Sequence, residues 1–342
     1  VGTRDPADLA PPLAAVSQRR LAGVGGIDAL RRLSGGASQE TWAFDARCAG
    51  APLPLILRRR PGGAADATPQ SVALRLETEA LLLGLARSAR VPVPGVRFVL
   101  EPEDGLGTGY VMDRLEGETL ARRILRDDAF AAVRPRLARQ CGEILARIHA
   151  IPRERLPALP VADAAAQLSH YRAVFDGFGH PHPVFELAFR WIEERLPPAV
   201  DPTLVHGDFR NGNLLIAPDE GVRGVLDWEI AHVGDPMEDL GWICVNSWRF
   251  GAELPVGGFG TREELFAGYT AAGGRPVDPE RVRFWEILGT LKWGIMCMMM
   301  YGVFEKGIDR SVERAAIGRR SSETEIDLLE LLGGAPSAAP GR

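Results

Sequence analysis

Two spacings of apolar residues divide the chain. Between Leu30 and Leu115 they fall in short runs. Thr41-Trp-Ala-Phe-Asp-Ala46 and Leu53-Pro-Leu-Ile-Leu-Arg58 read as strands, as do Val91 to Leu100 and Gly109 to Leu115. One helix interrupts them, Pro69 to Arg87, with Leu74, Leu81, Leu82 and Leu85 on its apolar side and Glu77 and Glu79 near its middle. From Asp127 the pattern becomes helical, over 128–149, 163–177, 184–196, 236–249, 261–272, 279–304 and 307–332, and a short helix or arm is expected over 7–22. A single hairpin pattern sits inside this helical half: Asn213 to Ala217, the turn residues Pro218-Asp219-Glu220-Gly221, then Val222 to Asp227. A turn centred on Glu220 would place Asn213 opposite Asp227.

The expected architecture is therefore α+β and bilobal. An arm over 1–29 precedes a small antiparallel-sheet lobe over 30–115. Glu116-Gly117-Glu118 breaks the pattern as a hinge, and a larger helical lobe follows over 116–342.

Composition narrows the chemistry. The 342 residues are 46% hydrophobic, enough for two lobes with ample core. A net charge of −5 without a long basic run argues against nucleic acid as a partner. Cysteines 48, 141, 244 and 297 are scattered without metal-site spacing and suit a reducing compartment, so a cytoplasmic location is expected. Val1 to Arg20 has no apolar core of signal-peptide type. The most apolar stretch, Ile287 to Phe304, contains Lys292 and several glycines and reads as a buried helix rather than a membrane span, with methionines 296, 298, 299 and 300 as core filler. There are two lysines, Lys292 and Lys306, so a cation holding phosphates in the first half has to be arginine.

One constellation carries chemistry. His206-Gly207-Asp208 is followed five residues after its aspartate by Asn213, and fourteen later by Asp227 in Leu226-Asp227-Trp228-Glu229. Phosphoryl transfer from a nucleotide needs a carboxylate near the attacking hydroxyl and further oxygen ligands for Mg²⁺, and the catalytic loop of protein kinases spaces its Asp and Asn the same way. Upstream, Ser34-Gly35-Gly36-Ala37-Ser38 could let backbone amides approach a phosphate. His206 is expected to support its loop by hydrogen bonding. Arg210 could reach a phosphate, an anionic substrate group or solvent. Histidines 149, 170, 180, 182 and 232 show no ligand spacing, which argues against a metal-dependent hydrolase.

A small lobe, a hinge, and a helical lobe with His-Gly-Asp-x4-Asn and a later Asp together resemble the aminoglycoside phosphotransferase and choline kinase-like family, over roughly Arg31 to Leu332. Leu57-Arg58-Arg59-Arg60-Pro61 and Leu226-Asp227-Trp228-Glu229 look most like the kinase-like domains of acyl-CoA dehydrogenase family members 10 and 11 and their free-standing bacterial relatives. The resemblance implies a protein-kinase-like fold and a set of roles. Asp208 matches the catalytic base, and Asn213 and Asp227 the Mg²⁺ ligands. Arg58 stands where a strand lysine holds the nucleotide phosphates, and Glu79 matches the helix glutamate that pairs with that cation. Ser34 to Ser38 match the phosphate-covering loop. Met112 to Leu115, including Asp113, match the hinge that receives adenine. Asp239 matches a structural aspartate.

Arginine in place of lysine is the departure. Arg59 and Arg60 remain alternatives, although if Leu55, Leu57 and Arg59 share one strand face, Arg58 shares the other with Ile56. The implied activity is ATP- and Mg²⁺-dependent phosphorylation of a small-molecule hydroxyl, such as that of a hydroxyacyl-CoA, with no nucleic acid or membrane partner. A non-catalytic nucleotide-binding module and an aminoglycoside-type kinase are the competing readings. Arg310, Arg314, Arg319 and Arg320 fall near helical spacing, and Glu313 and Glu323 interrupt them.

Overall fold

The structure is a computed structural model that describes residues 6–35, 39–62, 73–308 and 310–333. The small lobe is built from α1 (Pro6–Arg20), β1 (Val24–Gly35), β2 (Glu40–Cys48), β3 (Leu53–Arg60), α2 (Leu76–Ser88), β4 (Val96–Val99) and β5 (Thr108–Asp113). Its five strands form one antiparallel sheet in the order β1-β2-β3-β5-β4.

Residues 6–29, read from the sequence as an arm, are built into this lobe. Leu9, Leu13 and Val16 lie one helical turn apart on α1 and are buried in the same cluster as Trp42, Phe44, Leu55 and Leu57 from one face of the sheet. The first strand starts at Val24, inside the expected arm. On the other face, α2 covers β5 and β4. This helix starts at Leu76 rather than Pro69; residues 73–75 are extended, and 69–72 lie outside the described residues. Glu79 therefore falls in its first turn rather than its middle.

The large lobe contains α3 (Ala121–Arg126), α4 (Arg134–His149), α5 (Ala164–Asp176), α6 (Pro183–Glu193), β6 (Thr203–Val205), β7 (Leu214–Ala217), β8 (Gly221–Val225), β9 (His232–Gly234), α7 (Met237–Trp242), α8 (Arg262–Ala271), α9 (Pro279–Glu305), α10 (Val312–Arg319) and α11 (Ser321–Gly333). α9 has the length and hydropathy of a membrane-crossing helix. Here it is the central helix of the lobe, buried on all sides from Phe284 to Ile295, with α6, α7, α10 and α11 packed around it.

Backbone hydrogen bonds join the lobes at the β7–β8 hairpin. Glu118, just past the hinge, exchanges two with Ile216 (2.9 Å each), Val225 N–H donates to the Pro92 carbonyl (2.8 Å), and Leu74 N–H to that of Glu229 (2.6 Å). Gly117 allows this crossing: it has φ +155°, and a Cβ there would lie 2.8 Å from Leu215 Cγ and 3.0 Å from the Ile216 carbonyl oxygen.

Candidate active site

The hairpin register differs from the expected one. Ala217 pairs with Gly221 across a three-residue loop, and a bulge in β8 shifts the pairing again, so that Leu214 faces Val225. Asn213 thus lies opposite Leu226, whose N–H donates to its carbonyl at 2.9 Å, not opposite Asp227. Asp227 is the next residue and leaves the strand with φ +65°. That left-handed conformation is one aspartate adopts more readily than most residues, and it turns the carboxylate out of the ladder.

The Asp208 carboxylate is held at both oxygens. Oδ1 accepts from Arg210 Nε (2.9 Å) and from the indole N–H of Trp242 (2.8 Å), and Oδ2 accepts from Asn213 Nδ2 (2.6 Å). Arg210 is therefore folded back on Asp208, and its guanidinium also lies 4.4 Å above the Trp248 ring. His206 is fully buried. Its Nδ1 accepts from Asp208 N–H (3.2 Å), so Nε2 carries the proton and donates to the Leu226 carbonyl (3.1 Å). Burial pushes its pKa down, which suits this neutral tautomer tying the Asp208 loop to the residue before Asp227. Asp239 supports the loop from beneath. It accepts from the backbone N–H groups of His206 (2.8 Å) and Gly207 (2.9 Å), and His149 Nε2 lies 3.1 Å away.

Arg58 comes from the small lobe. Alternation along β3 sends Arg59 to the covered face, where it pairs with Glu40 at 2.8 Å and donates to the Leu106 carbonyl at 3.2 Å. Arg58 faces the cleft. Its guanidinium lies 3.3 Å from Glu79, 3.3 Å from Asp227, 3.8 Å from Glu229 and 3.1 Å from Gln39 Oε1. Burial works to lower the Arg58 pKa, but the surrounding carboxylates outweigh it and the net shift is upward. Burial pushes the Glu79 carboxyl up to about 7, against the pull of Arg58 and of the Tyr110 hydroxyl that donates to it at 3.0 Å. Burial and then Asp227 raise Glu229.

Oxygens of Glu79, Asp227 and Glu229 all lie within 4.8 Å of one another. Glu79 Oε1, buried, meets Arg58 but accepts no hydrogen bond. Three carboxylates around one guanidinium leave a negative surplus, and this donor set fits a divalent cation. Glu229 was not singled out from the sequence, although it stands two residues after Asp227.

The remaining candidates are placed as follows. Ser34 and Gly35 end β1, paired with Thr41 and Glu40, while Gly36, Ala37 and Ser38 lie outside the described residues. Met112 and Asp113 end β5, with Met112 beside Ile56 and Val96. The Asp113 N–H donates to the Gly95 carbonyl (2.9 Å), and its carboxylate accepts from Arg97 (2.6 Å), so neither group is turned toward the cleft. Leu115 approaches Gly224 of the hairpin: a Cβ on that glycine would lie 3.2 Å from Leu115 Cδ1.

A five-stranded lobe hinged to a helical lobe, with Asp208 and a carboxylate cluster between them, defines a kinase-like phosphotransferase. The chain belongs to the phosphotransferase enzyme family, whose pattern matches residues 29–285. Among known proteins it is similar to mouse acyl-CoA dehydrogenase family member 10, 26% identical over 300 residues that cover 79% of this chain and 26% of that one. Chicken acyl-CoA dehydrogenase family member 11 is 30% identical over 198 residues, covering 55% and 24%. The chain thus spans about a quarter of the length of these relatives. A solved Ralstonia eutropha protein described as an aminoglycoside phosphotransferase shares the fold, with a TM-score of 0.75, 20% identity and coverage of 95% and 98%.

Proposed function

We propose that the protein transfers the γ-phosphoryl group of ATP to a hydroxyl of a small acidic molecule, such as a hydroxyacyl-CoA. The observation that carries this reading is the pairing of Asp208 with Asn213 in the large lobe, at 2.6 Å, beside an Asp227 gripped at 3.3 Å by Arg58 of the small lobe. Asp208 accepts a hydrogen bond from the acceptor hydroxyl and aligns its oxygen with the γ-phosphorus. The bond from that phosphorus to the β-bridging oxygen breaks as the new oxygen–phosphorus bond forms. ADP leaves, and the hydroxyl proton passes to Asp208 or to the departing phosphoryl group. Arg58, held by Glu79, neutralises the nucleotide phosphates. Asn213 and Asp227, with Glu229 beside them, would hold Mg²⁺, whose charge offsets that of the phosphate oxygens.

The acidic character of the acceptor is supported by a groove of about 1090 Å³ between α3, the Asn246–Arg249 turn and α10–α11. Arg122, Arg126 and Arg319 line it without an ion pair among the described residues. Two of its acids are engaged, Glu323 by Arg320 (3.0 Å) and Asp327 by Asn246 (2.7 Å). Ser247 on its wall precedes Trp248, the ring beneath Arg210. A polycationic aminoglycoside would meet repulsion there.

The test is phosphorylation of hydroxylated acyl-CoA esters and amino sugars with labelled ATP, in wild type and Asp208→Asn. Wild type should label the acidic acceptors. The variant should keep nucleotide affinity and lose turnover by ~10²–10⁴-fold. Full turnover in Asp208→Asn would refute the base assignment, and labelling of amino sugars alone would refute the acceptor class.

A further inference from the structure

Hydrogen-bond capacity sets the two oxygens of Asp208 apart. A carboxylate oxygen has two lone-pair sites. Both on Oδ1 are taken, by Arg210 at 2.9 Å and by Trp242 at 2.8 Å, whereas Oδ2 meets a single side-chain donor, Asn213. The two donors on Oδ1 differ in kind. The side chain of Arg210 is 23% exposed on a long flexible stem. Trp242 is 3% exposed at the end of α7, and its indole can donate but not accept, so it holds a carboxylate without competing as a base.

The Trp242 ring is fixed from α9. Lys292 Nζ lies 4.7 Å from the ring centroid, and 3.8 Å from Glu238 Oε1. One turn earlier on the same helix is Gly289, at a position where glycine weakens a helix. A Cβ there would come within 3.0 Å of Trp242 Cε3 and 3.2 Å of Val245 Cγ2. Trp248 packs on the ring from another side, centroids 5.2 Å apart. One of the chain's two lysines and a mid-helix glycine thus serve one indole.

We propose that Trp242 is a positioning residue for phosphoryl transfer: its indole N–H pins Oδ1 of Asp208, leaving Oδ2 as the oxygen that receives the acceptor hydroxyl, and Gly289 and Lys292 set the ring. The inference rests on the reading of Asp208 as the base. Arg210 can swing toward an incoming phosphate while Trp242 keeps the carboxylate oriented.

The contact can be read without turnover. In protein labelled with ¹⁵N at tryptophan, Trp242→Phe identifies the Trp242 indole resonance by its loss, and Asp208→Ala should displace that resonance. Phosphate release from Mg-ATP, and labelling of the acceptor, should fall in kcat by about 10- to 100-fold in Trp242→Phe, the worth of one charge-assisted hydrogen bond. The KM for ATP should stay at the wild-type value; the melting temperature should fall, because a buried ring is trimmed and its hydrogen bond lost, so rates are compared well below it. Gly289→Ala, which pushes on the ring without touching the N–H, should show a smaller drop in kcat of the same kind. An indole resonance unmoved by Asp208→Ala, or a wild-type kcat in Trp242→Phe, overturns the proposal. A wild type that phosphorylates no hydroxyl sinks the kinase reading instead, and the resonance still reports separately on the contact.

Discussion

Asp239→Ala should unfold the protein far more readily while removing nothing that faces the cleft. Asp239 is fully buried and accepts the N–H groups of His206 at 2.8 Å and Gly207 at 2.9 Å, with His149 at 3.1 Å. Each hydrogen bond to a charged group contributes about 1.5–3 kcal/mol. The three are not additive, because they share one carboxylate. Deleting one partner of a buried charged pair costs about 3–5 kcal/mol, mostly for the groups left unmatched. At roughly 2–4 °C per kcal/mol for chains somewhat shorter than this one, the melting temperature should fall by about 6–20 °C. Thermal and urea melts at neutral pH measure it, and a loss below about 1 kcal/mol would refute the argument.

The pH dependence gives a second check on the same group. Burial alone would raise the Asp239 pKa, but His149 and the amide donors outweigh it and hold the value below 3.8. The folded chain therefore binds fewer protons here than the unfolded one. The stabilisation is fully present above the unfolded value and is lost as pH falls through the folded one. The gap between wild type and Asp239→Ala should be constant near neutrality and narrow below 3.8.

Two further substitutions probe the small lobe. Arg58→Met should weaken Mg-ATP binding by about 10- to 100-fold, the loss of a charged hydrogen bond to phosphate, and a dissociation constant within twofold of wild type in a nucleotide titration would exclude that role. Leu13→Ala should cost ~2–5 kcal/mol of stability in a urea melt if α1 belongs to the core; an unchanged midpoint would show that it does not.

The elements that could be read from the sequence were those whose signals are local. Helix spacing brought out α5, α8 and α9 nearly to their ends, whereas α4 starts six residues later than expected. Alternation along β3 assigned Arg58 and Arg59 to opposite faces, and the buried Glu40–Arg59 pair explains why two adjacent arginines behave so differently. The hairpin was visible as a pattern, but its register was not. The loop centres on Asp219 rather than Glu220, which moves every partner by two, and the bulge at Arg223 moves them back by one. The burial of α1 was missed because its apolar face is only Leu9, Leu13 and Val16, interrupted by two prolines. Trp242 meets Asp208 from 34 residues away, Gly289 and Lys292 meet the Trp242 ring from still farther along the chain, and no local pattern marks such a meeting.

The β7–β8 hairpin answers to both lobes at once. Swinging the lobes apart at its base would break the hydrogen bonds from Val225 to Pro92 and from Leu74 to Glu229, while the Glu118–Ile216 pair ties the end of the hinge to the hairpin. Higher in the cleft, β3 meets the large lobe through side-chain contacts such as that of Arg58 with Asp227. The floor of the cleft is thus fastened by backbone, and its upper wall by side chains.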